Sequence, residues 1–132
     1  MADKIPFDLV SPEKLLLSEE AEMVTLPGAA GYFGVLAGHA PTISTLKPGV
    51  IEVKGGPEGE KRYFVTSGFA DVSASSLTVL AEEAIPMESV DAALLDQRIA
   101  DANEDILQAK TEEARAKAVI HMDALEQLRA SL

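Results

Sequence analysis

Short apolar stretches, each the length of a β-strand, recur between turn signals from residue 7 to residue 80. Several of them alternate apolar with polar positions, which is the period of a strand that buries one face. The nine stretches cover residues 7–10, 15–17, 23–26, 33–36, 43–46, 50–53, 63–66, 69–72 and 77–80. The clearest turns between them are 55–59 (Gly-Gly-Pro-Glu-Gly) and 73–76 (Ser-Ala-Ser-Ser). This spacing predicts an all-β sandwich or barrel.

After a break at 84–87, the pattern changes to the three-and-four spacing of amphipathic helices. The first apolar stripe consists of Leu95, Ile99, Ala102, Ile106 and Ala109, and the second of Ala118, Met122, Leu125 and Leu128. Ser89 is the predicted N-cap of the first helix, with Asp91 favouring its N-terminus, and Thr111 begins the second. We therefore predict a β module, residues 1–86, followed by an antiparallel two-helix hairpin, residues 87–132.

Both helical stripes are rich in alanine, so the predicted contact between the helices is small. At about 25 cal/mol per Å² of buried apolar area, such a short hairpin is only marginally stable alone. We therefore expect the hairpin either to pack against the β module or to change its binding partner.

The charge and composition exclude several classes of partner. A net charge of −11 argues against nucleic acid, which is bound through Lys and Arg, and against direct docking on anionic lipid. There is no cysteine, which excludes disulfides. The first residues lack the apolar core of a signal peptide, and no run approaches the ~20 apolar residues of a membrane span. We therefore expect a cytoplasmic chain without direct membrane insertion.

Candidate catalytic groups do not come together in the sequence. His39 and His121 fall in different modules, so no metal site is predicted, and no Gly-x-Ser-x-Gly motif is present. The glycines at 28, 31, 34 and 38 lead into strand-like sequence without a following Gly-Lys-Ser/Thr, which argues against a phosphate loop. His39 is interpreted as a ring that fixes its loop. The pattern favours a binding surface over an enzyme, without a cofactor.

The aromatic residues leave one further class open. The aromatic trio Tyr32, Phe33 and Phe69 is expected mostly in the core, although Tyr32 at a loop tip is able to face a partner. A β-sandwich that binds a small molecule or carbohydrate is an alternative. Such modules usually present exposed aromatic side chains, and this chain has two Tyr, four Phe and no Trp.

A family resemblance is concentrated in the glycine-rich segment. Residues 31–41 (Gly-Tyr-Phe-Gly-Val-Leu-Ala-Gly-His-Ala-Pro) and 46–50 (Leu-Lys-Pro-Gly-Val) closely resemble the hallmark segment of the epsilon subunit of bacterial F-type ATP synthases. Further matches lie at 8–13, at 63–72 (Tyr-Phe-Val-Thr-Ser-Gly-Phe-Ala-Asp-Val) and at 77–85. The resemblance spans the whole chain, and it is weaker in the helices.

The resemblance implies a ten-stranded β-sandwich followed by a two-helix hairpin, in the central stalk of a proton-translocating synthase. Such subunits are not catalytic. They bind the gamma subunit and the c subunits of the rotor ring, at the cytoplasmic face of the bacterial plasma membrane, and couple rotation to ATP synthesis.

The family also implies two contact sites. The loop that faces the rotor ring matches Gly28, Ala29, Ala30, Gly31, Tyr32 and Phe33. The positions on the gamma-facing side match Ser11, His39 and Ser44. Tyr32 replaces a residue that is often acidic in the family, so the expected ring contact depends on shape.

Two departures bear on regulation. In many relatives the hairpin extends along gamma toward the beta subunit and blocks ATP hydrolysis. Relatives that sense ATP carry the motif Ile/Leu-Asp-x-x-Arg-Ala at the start of the first helix. Here Asp91 is present, but Leu94 replaces the Arg, which removes a phosphate-pairing cation. No basic tail follows Arg129. We therefore expect weak or no ATP sensing, with active inhibition by the extended hairpin as the alternative.

Overall fold

The computed structural model describes residues 3–132. Met1 and Ala2, the start of the segment predicted to contain no signal peptide, lie outside the described residues. The chain divides into two compact units, Met1–Met87 and Glu88–Leu132. Ten strands followed by two helices confirm the predicted fold class, a β-sandwich with a C-terminal helical hairpin.

Ten strands build the first unit. They are β1 (Ile5–Val10), β2 (Leu15–Ala21), β3 (Met23–Gly28), β4 (Gly31–Val35), β5 (Thr42–Leu46), β6 (Gly49–Lys54), β7 (Lys61–Val65), β8 (Gly68–Val72), β9 (Leu77–Ala81) and β10 (Ala84–Pro86). Each of the nine predicted stretches overlaps one strand. The two predicted turns connect β6 to β7 and β8 to β9, and β10 lies where the sequence indicated the break.

The strands form one sheet in the order β10-β7-β6-β3-β5-β8-β9-β1-β2, and β4 pairs with β3 outside this path. Strand β3 is the branch point, because its first residues pair with β6 whereas Gly28 pairs with Leu46 of β5. Pro27 lies at this change of partner, and its carbonyl accepts a hydrogen bond from the N–H of Lys47 at 3.0 Å. Since proline has no N–H to donate, it suits the point where the ladder with β6 ends.

Strand β2, at one end of the strand order, contacts β7, the strand next to the other end, across the sandwich. On β2, Oε1 of Glu19 accepts a hydrogen bond from Nζ of Lys61 on β7 at 2.7 Å. The backbone N–H of Glu22 donates to the carbonyl of Lys54 at 2.8 Å. The sheet therefore closes on itself around one core, instead of remaining an open layer.

Alternation along the strands decides which side chains form that core. The row Ala70, Val79 and Leu9, directly opposite one another on β8, β9 and β1, is fully buried. The core cluster consists of Ile5, Phe7, Leu9, Ala21, Val24, Leu26, Val35, Leu46, Ile51, Val53, Val65, Ala70, Val72, Leu77, Val79 and Ala81. Both layers contribute to it, and it supplies the apolar burial that stabilises the sandwich.

A 3₁₀ turn, Met87–Ser89, precedes the helices α1 (Ala92–Gln108) and α2 (Glu112–Ala130). The prediction that Ser89 caps α1 is wrong, because Ser89 belongs to the 3₁₀ turn. Asp91 is the cap, and its Oδ1 accepts the N–H of Leu94 at 2.8 Å. A carboxylate there also interacts favourably with the positive end of the helix dipole. Thr111 caps α2, as predicted, by accepting the N–H of Ala114 at 3.0 Å.

The two helices pack against each other along their predicted stripes. Leu95, Ala102 and Leu125 are buried, whereas the other stripe positions are half-buried. The contact is therefore as narrow as the alanine content predicts. Among residues 3–132, no helix combines the length and the apolar character that crossing a bilayer requires.

Candidate interaction surfaces

An exposed apolar row crosses the five strands β5, β8, β9, β1 and β2 on the face that points away from the core. It consists of Thr45, Phe69, Leu80, Val10 and Leu15, each directly opposite the next. Phe69 is 44% exposed, Leu15 56%, and Ile43, on the same face of β5, 76%. Contiguous exposed apolar side chains of this kind are typical of sites that contact a protein, a membrane or a ligand. We call these six residues the apolar face.

Sequence reasoning missed the apolar face. The prediction that Phe69 lies mostly in the core is wrong, since its neighbour Ala70 points inward and Phe69 points outward. Buried and exposed residues alternate along β8, and this alternation is the signal for the outward orientation of Phe69. The alignment of five strands from distant parts of the chain is visible only in the pairing of the sheet.

Of the residues predicted on the gamma-facing side, Ser11 lies at the margin of the apolar face, whereas Ser44 lies behind it, on the opposite side of β5. Ser11 closes the turn between β1 and β2, where its N–H donates to the carbonyl of Lys14 at 2.9 Å. Ser44 lies between Ile43 and Thr45 but shares the core-facing side of β5, and its hydroxyl donates to the carbonyl of Thr45 at 3.0 Å. The side chains exposed beside Ser44 are therefore those of Ile43 and Thr45.

His39, the third residue of that prediction, fixes the loop between β4 and β5. Its Nδ1 lies 2.7 Å from the carbonyl of Ala40. A carbonyl only accepts, so Nδ1 carries the hydrogen and Nε2 of the neutral ring is left as an acceptor. The ring also lies 6.4 Å from that of Phe33, and the N–H of Gly38 ties the loop to the carbonyl of Ala74 at 2.9 Å. His39 is therefore a structural residue whose outer nitrogen is available.

The residues predicted to face the rotor ring form the tip of the β3–β4 hairpin. They are Gly28, Ala29, Ala30, Gly31, Tyr32 and Phe33. Gly28 pairs with Gly31 across the turn, and Ala29 and Ala30 are exposed. A side chain on Gly28 would meet the Phe33 ring at 2.7 Å, and Gly31 has a φ of +134°, so both positions favour glycine. The tip is small and uncharged.

Tyr32 is anchored to the sandwich through its hydroxyl. The hydroxyl accepts the N–H of Val50, at the start of β6, at 3.0 Å. Gly49 makes room for it, because a Cβ there would lie 2.5 Å from the hydroxyl oxygen. The ring itself remains 56% exposed. Tyr32 therefore presents a fixed aromatic surface at the tip, and its hydroxyl oxygen already accepts a hydrogen bond.

The predicted regulatory motif has a structural role at the start of α1. Asp91, its acidic residue, is the N-cap described above, and Leu94, in the place of the Arg, is half-buried. Further along the hairpin, an open cleft of about 400 Å³ is lined by Ala102, Asp105, Gln108, Ala109, Ala114, Lys117, Ala118 and His121. Alanine supplies half of this lining, so the cleft is where the two helices pack least closely.

The partly buried ion pair between Glu19 and Lys61 is a second feature that the sequence did not indicate. The Glu19 side chain is 6% exposed, and that of Lys61 is 23% exposed. The hydrogen bond from Lys61 to Glu19 raises the pKa of the lysine above its ordinary value of 10.5. Oε2 of Glu19 is buried without a partner among the described residues, beside Gly56. This arrangement has the geometry of a structural clamp between β2 and β7.

The groups at these surfaces offer apolar contact and hydrogen bonding. Within residues 3–132, no group of three His, Cys, Asp or Glu side chains is arranged to hold a metal ion. The exposed atoms of the apolar face and of the hairpin tip are mostly carbon. Both surfaces suit recognition of another protein.

Comparisons with known proteins agree with this fold along the whole chain. Residues 4–87 match the model for the beta-sandwich domain of the ATP synthase delta/epsilon chain. The chain is 48% identical to the ATP synthase epsilon chain of Parvibaculum lavamentivorans, covering 98% of both chains. It is 46% identical to the epsilon chain of Mesorhizobium japonicum, covering 100% of this chain and 98% of that one.

Two solved structures share the architecture. A chain of the Euglena gracilis mitochondrial ATP synthase, solved with OSCP, F1 and the c-ring, matches with a TM-score of 0.73 and 29% identity, covering 97% of this chain and 81% of that one. A chain of the Tetrahymena thermophila central stalk and c-ring matches in fold, with a TM-score of 0.70 and 14% identity over 96% and 97%. The family match and the full-length relatives agree, and this chain belongs to the ATP synthase epsilon-chain family.

Proposed function

We propose that this chain is a non-catalytic rotor subunit of a proton-translocating F-type ATP synthase, which couples rotation of the ring to ATP synthesis. The observation that carries the proposal is the apolar face, an exposed hydrophobic row on a sandwich whose relatives are named ATP synthase epsilon chains. The full-length similarity favours this function over that of a β-sandwich that binds a small molecule or carbohydrate. The chain works at the cytoplasmic face of the bacterial plasma membrane, as a peripheral part of the complex.

The apolar face is the proposed contact with the gamma subunit. Its side chains lie on paired strands, so they form one rigid surface whose burial needs little ordering of the backbone. Ser11 borders this face, Ser44 lies behind it on β5, and His39 lies in the loop that enters β5. In this proposal Nε2 of His39 accepts a hydrogen bond from gamma, and the two serines hold the backbone in place.

The tip of the β3–β4 hairpin is the proposed contact with the c subunits. It lies about 13 Å along the β3–β4 ladder from the end where the His39 loop begins, at about 3.3 Å per residue. The tip is nevertheless adjacent to the apolar face, because the N–H of Ala29 donates to the carbonyl of Thr45 at 2.9 Å. The two proposed contacts are therefore neighbours, and the tip extends the surface beyond the face. The uncharged alanines and the fixed Tyr32 ring support a ring contact by shape.

The helical hairpin has weak or no ATP sensing in this proposal. Asp91 caps α1, and Leu94 provides no cation for a phosphate. We expect calorimetry on the isolated chain to detect no micromolar ATP affinity. The alternative, inhibition of ATP hydrolysis by a hairpin extended toward the beta subunit, is tested by truncating the chain after Met87 in the assembled enzyme. A large rise in hydrolysis on truncation favours inhibition, and little change favours the rotor function alone.

The direct test of the proposal is binding to the gamma subunit of the same synthase. Phe69→Asp replaces the one aromatic side chain of the apolar face by a charge, and we expect it to weaken binding at least about tenfold, as loss of a large aromatic interface residue does. Leu107→Asp is the matched control, because Leu107 is 76% exposed on α1, outside the face. The melting temperature of each variant reports whether it still folds. Gamma binding by a folded Phe69→Asp chain at the affinity of the parent would refute the proposed interface.

A further inference from the structure

A second cross-strand row runs beside the apolar row on the same exposed face. It consists of Ile43, Asp71, Thr78, Asp8 and Ser18, each opposite the next. It lies two residues from the apolar row along β5, β8, β9 and β1, or about 7 Å, and three residues from it along β2, where the register with β1 shifts. Two carboxylates therefore flank the apolar row, and none of the ten side chains in the two rows is basic.

The two carboxylates differ in how far the chain itself satisfies them. Asp71 is exposed, and its carboxylate has no hydrogen-bond or ion-pair partner among residues 3–132. Asp8 is half-buried, and its Oδ1 accepts a hydrogen bond from the hydroxyl of Ser18 at 2.6 Å. Serine neutralises no charge. Both negative charges are therefore free to interact with a partner.

The spacing of the two carboxylates is set by the sheet. Asp71 and Asp8 lie on either side of Thr78, so two strand spacings of about 4.8 Å separate their backbones by about 10 Å. Covering the apolar row with another protein would remove water from the flanking carboxylates. Burying an unpaired carboxylate is costly, so a partner without cations opposite both positions would be disfavoured.

We propose that the two carboxylates select the partner of this face, a surface with an apolar strip flanked by two Lys or Arg side chains about 10 Å apart. This inference rests on the proposed gamma contact and specifies its chemistry. The apolar row supplies the area that is buried on binding. Asp71 and Asp8 fix the alignment of the partner and discriminate against partners without cations. The net charge of −11 of the whole chain adds long-range attraction for a basic surface.

The test measures the affinity and association rate of the full chain for gamma at about 20 mM and about 300 mM salt, where the Debye length differs about fourfold. Asp71→Asn and Asp8→Asn keep the shape and remove one charge each. We expect each to weaken binding about 3- to 10-fold at low salt, with a smaller loss at high salt. Glu60→Gln is the control, because it removes the same charge from the exposed β6–β7 loop, and we expect less than a twofold change.

Three results would overturn the inference, and they are distinguishable from failure of the proposed function. Equal losses for Asp71→Asn and Glu60→Gln would mean that only the overall charge matters. A loss that does not depend on salt, or no loss at all, would mean that no cation faces the row. If Phe69→Asp abolishes binding while both Asp variants bind normally, the gamma contact stands and the acidic selection is wrong. If none of these variants affects binding, the proposed interface itself fails.

Discussion

The sandwich and the hairpin stabilise themselves in different ways. The sandwich buries large side chains from both layers, including Phe7, Leu26 and Ile51, at 0% exposure. The hairpin buries only Leu95, Ala102 and Leu125, and its ion pair between Arg129 and Asp96 joins side chains that are 40% and 61% exposed. An exposed ion pair contributes at most about 1 kcal/mol. The proposed interface therefore lies on the more extensively buried unit, and we expect the hairpin to open first.

The strongest test of this comparison is a Leu→Ala substitution made once in each unit. Leu26→Ala removes a side chain surrounded by the core cluster, and we expect it to lower the free energy of unfolding by about 3–4 kcal/mol, because the sandwich cannot collapse into the cavity. Leu125→Ala, at 1% exposure, should cost about 2 kcal/mol, since its half-buried surroundings are able to relax.

Urea unfolding measures the first value, and amide hydrogen exchange in the helices measures the second. For Leu125→Ala, faster exchange should be confined to α1 and α2. Equal losses for the two variants, with exchange rising throughout the chain, would show that the two units do not differ in rigidity.

The Glu19–Lys61 clamp provides a second test of what stabilises the sandwich. Lys61→Met leaves the 6%-exposed Glu19 side chain without its cation, and we expect a loss of about 2–3 kcal/mol in urea unfolding. The double change Glu19→Gln with Lys61→Met should recover part of it, because the buried charge is gone. Lys54→Met, on exposed Lys54, is the control and should cost less than about 0.5 kcal/mol. A similar small cost for Lys61→Met would mean that the clamp is not stabilising.

The same ion pair gives the sandwich a dependence on alkaline pH. The pKa of Lys61 is raised in the folded state, so its contribution to stability is fully present below the ordinary lysine value of 10.5. That contribution is lost as the pH rises through the raised pKa. The stability difference between the parent and Lys61→Met should therefore shrink above pH 10.5. A difference that stays constant there would contradict this assignment.

The smallest expected effect is at the start of the hairpin. Asp91→Ala removes the cap of α1 and should cost about 1 kcal/mol, visible as faster hydrogen exchange in the first turn. Asp91→Asn should retain most of the cap, since an amide oxygen also accepts the N–H of Leu94. Ser89→Ala is the comparison, because Ser89 does not cap the helix, and a larger cost there than for Asp91→Ala would contradict the observed capping.

Sequence alone was sufficient for the elements and insufficient for the surfaces. The alternation of apolar and polar residues predicted nine of the ten strands, and the three-and-four spacing predicted both helices, because each pattern is local. The N-cap was misplaced because Ser89 and Asp91 are both good caps, and only the backbone decides where helical hydrogen bonding begins. The contact at Gly28 to Phe33 stays a prediction from the family resemblance, and the glycine requirement at Gly28 became clear from the packing of Phe33.

The sequence by itself determined the division between strand-forming and helix-forming segments, since side-chain periodicity and turn residues act within a few positions. The tertiary structure decided which strands became neighbours. It thereby aligned Phe69 with Leu80, Val10 and Leu15 into one exposed row, and it placed Glu19 beside Lys61 across the closed sheet. These contacts join residues far apart in the chain, and they depend on the register of several strand pairs at once.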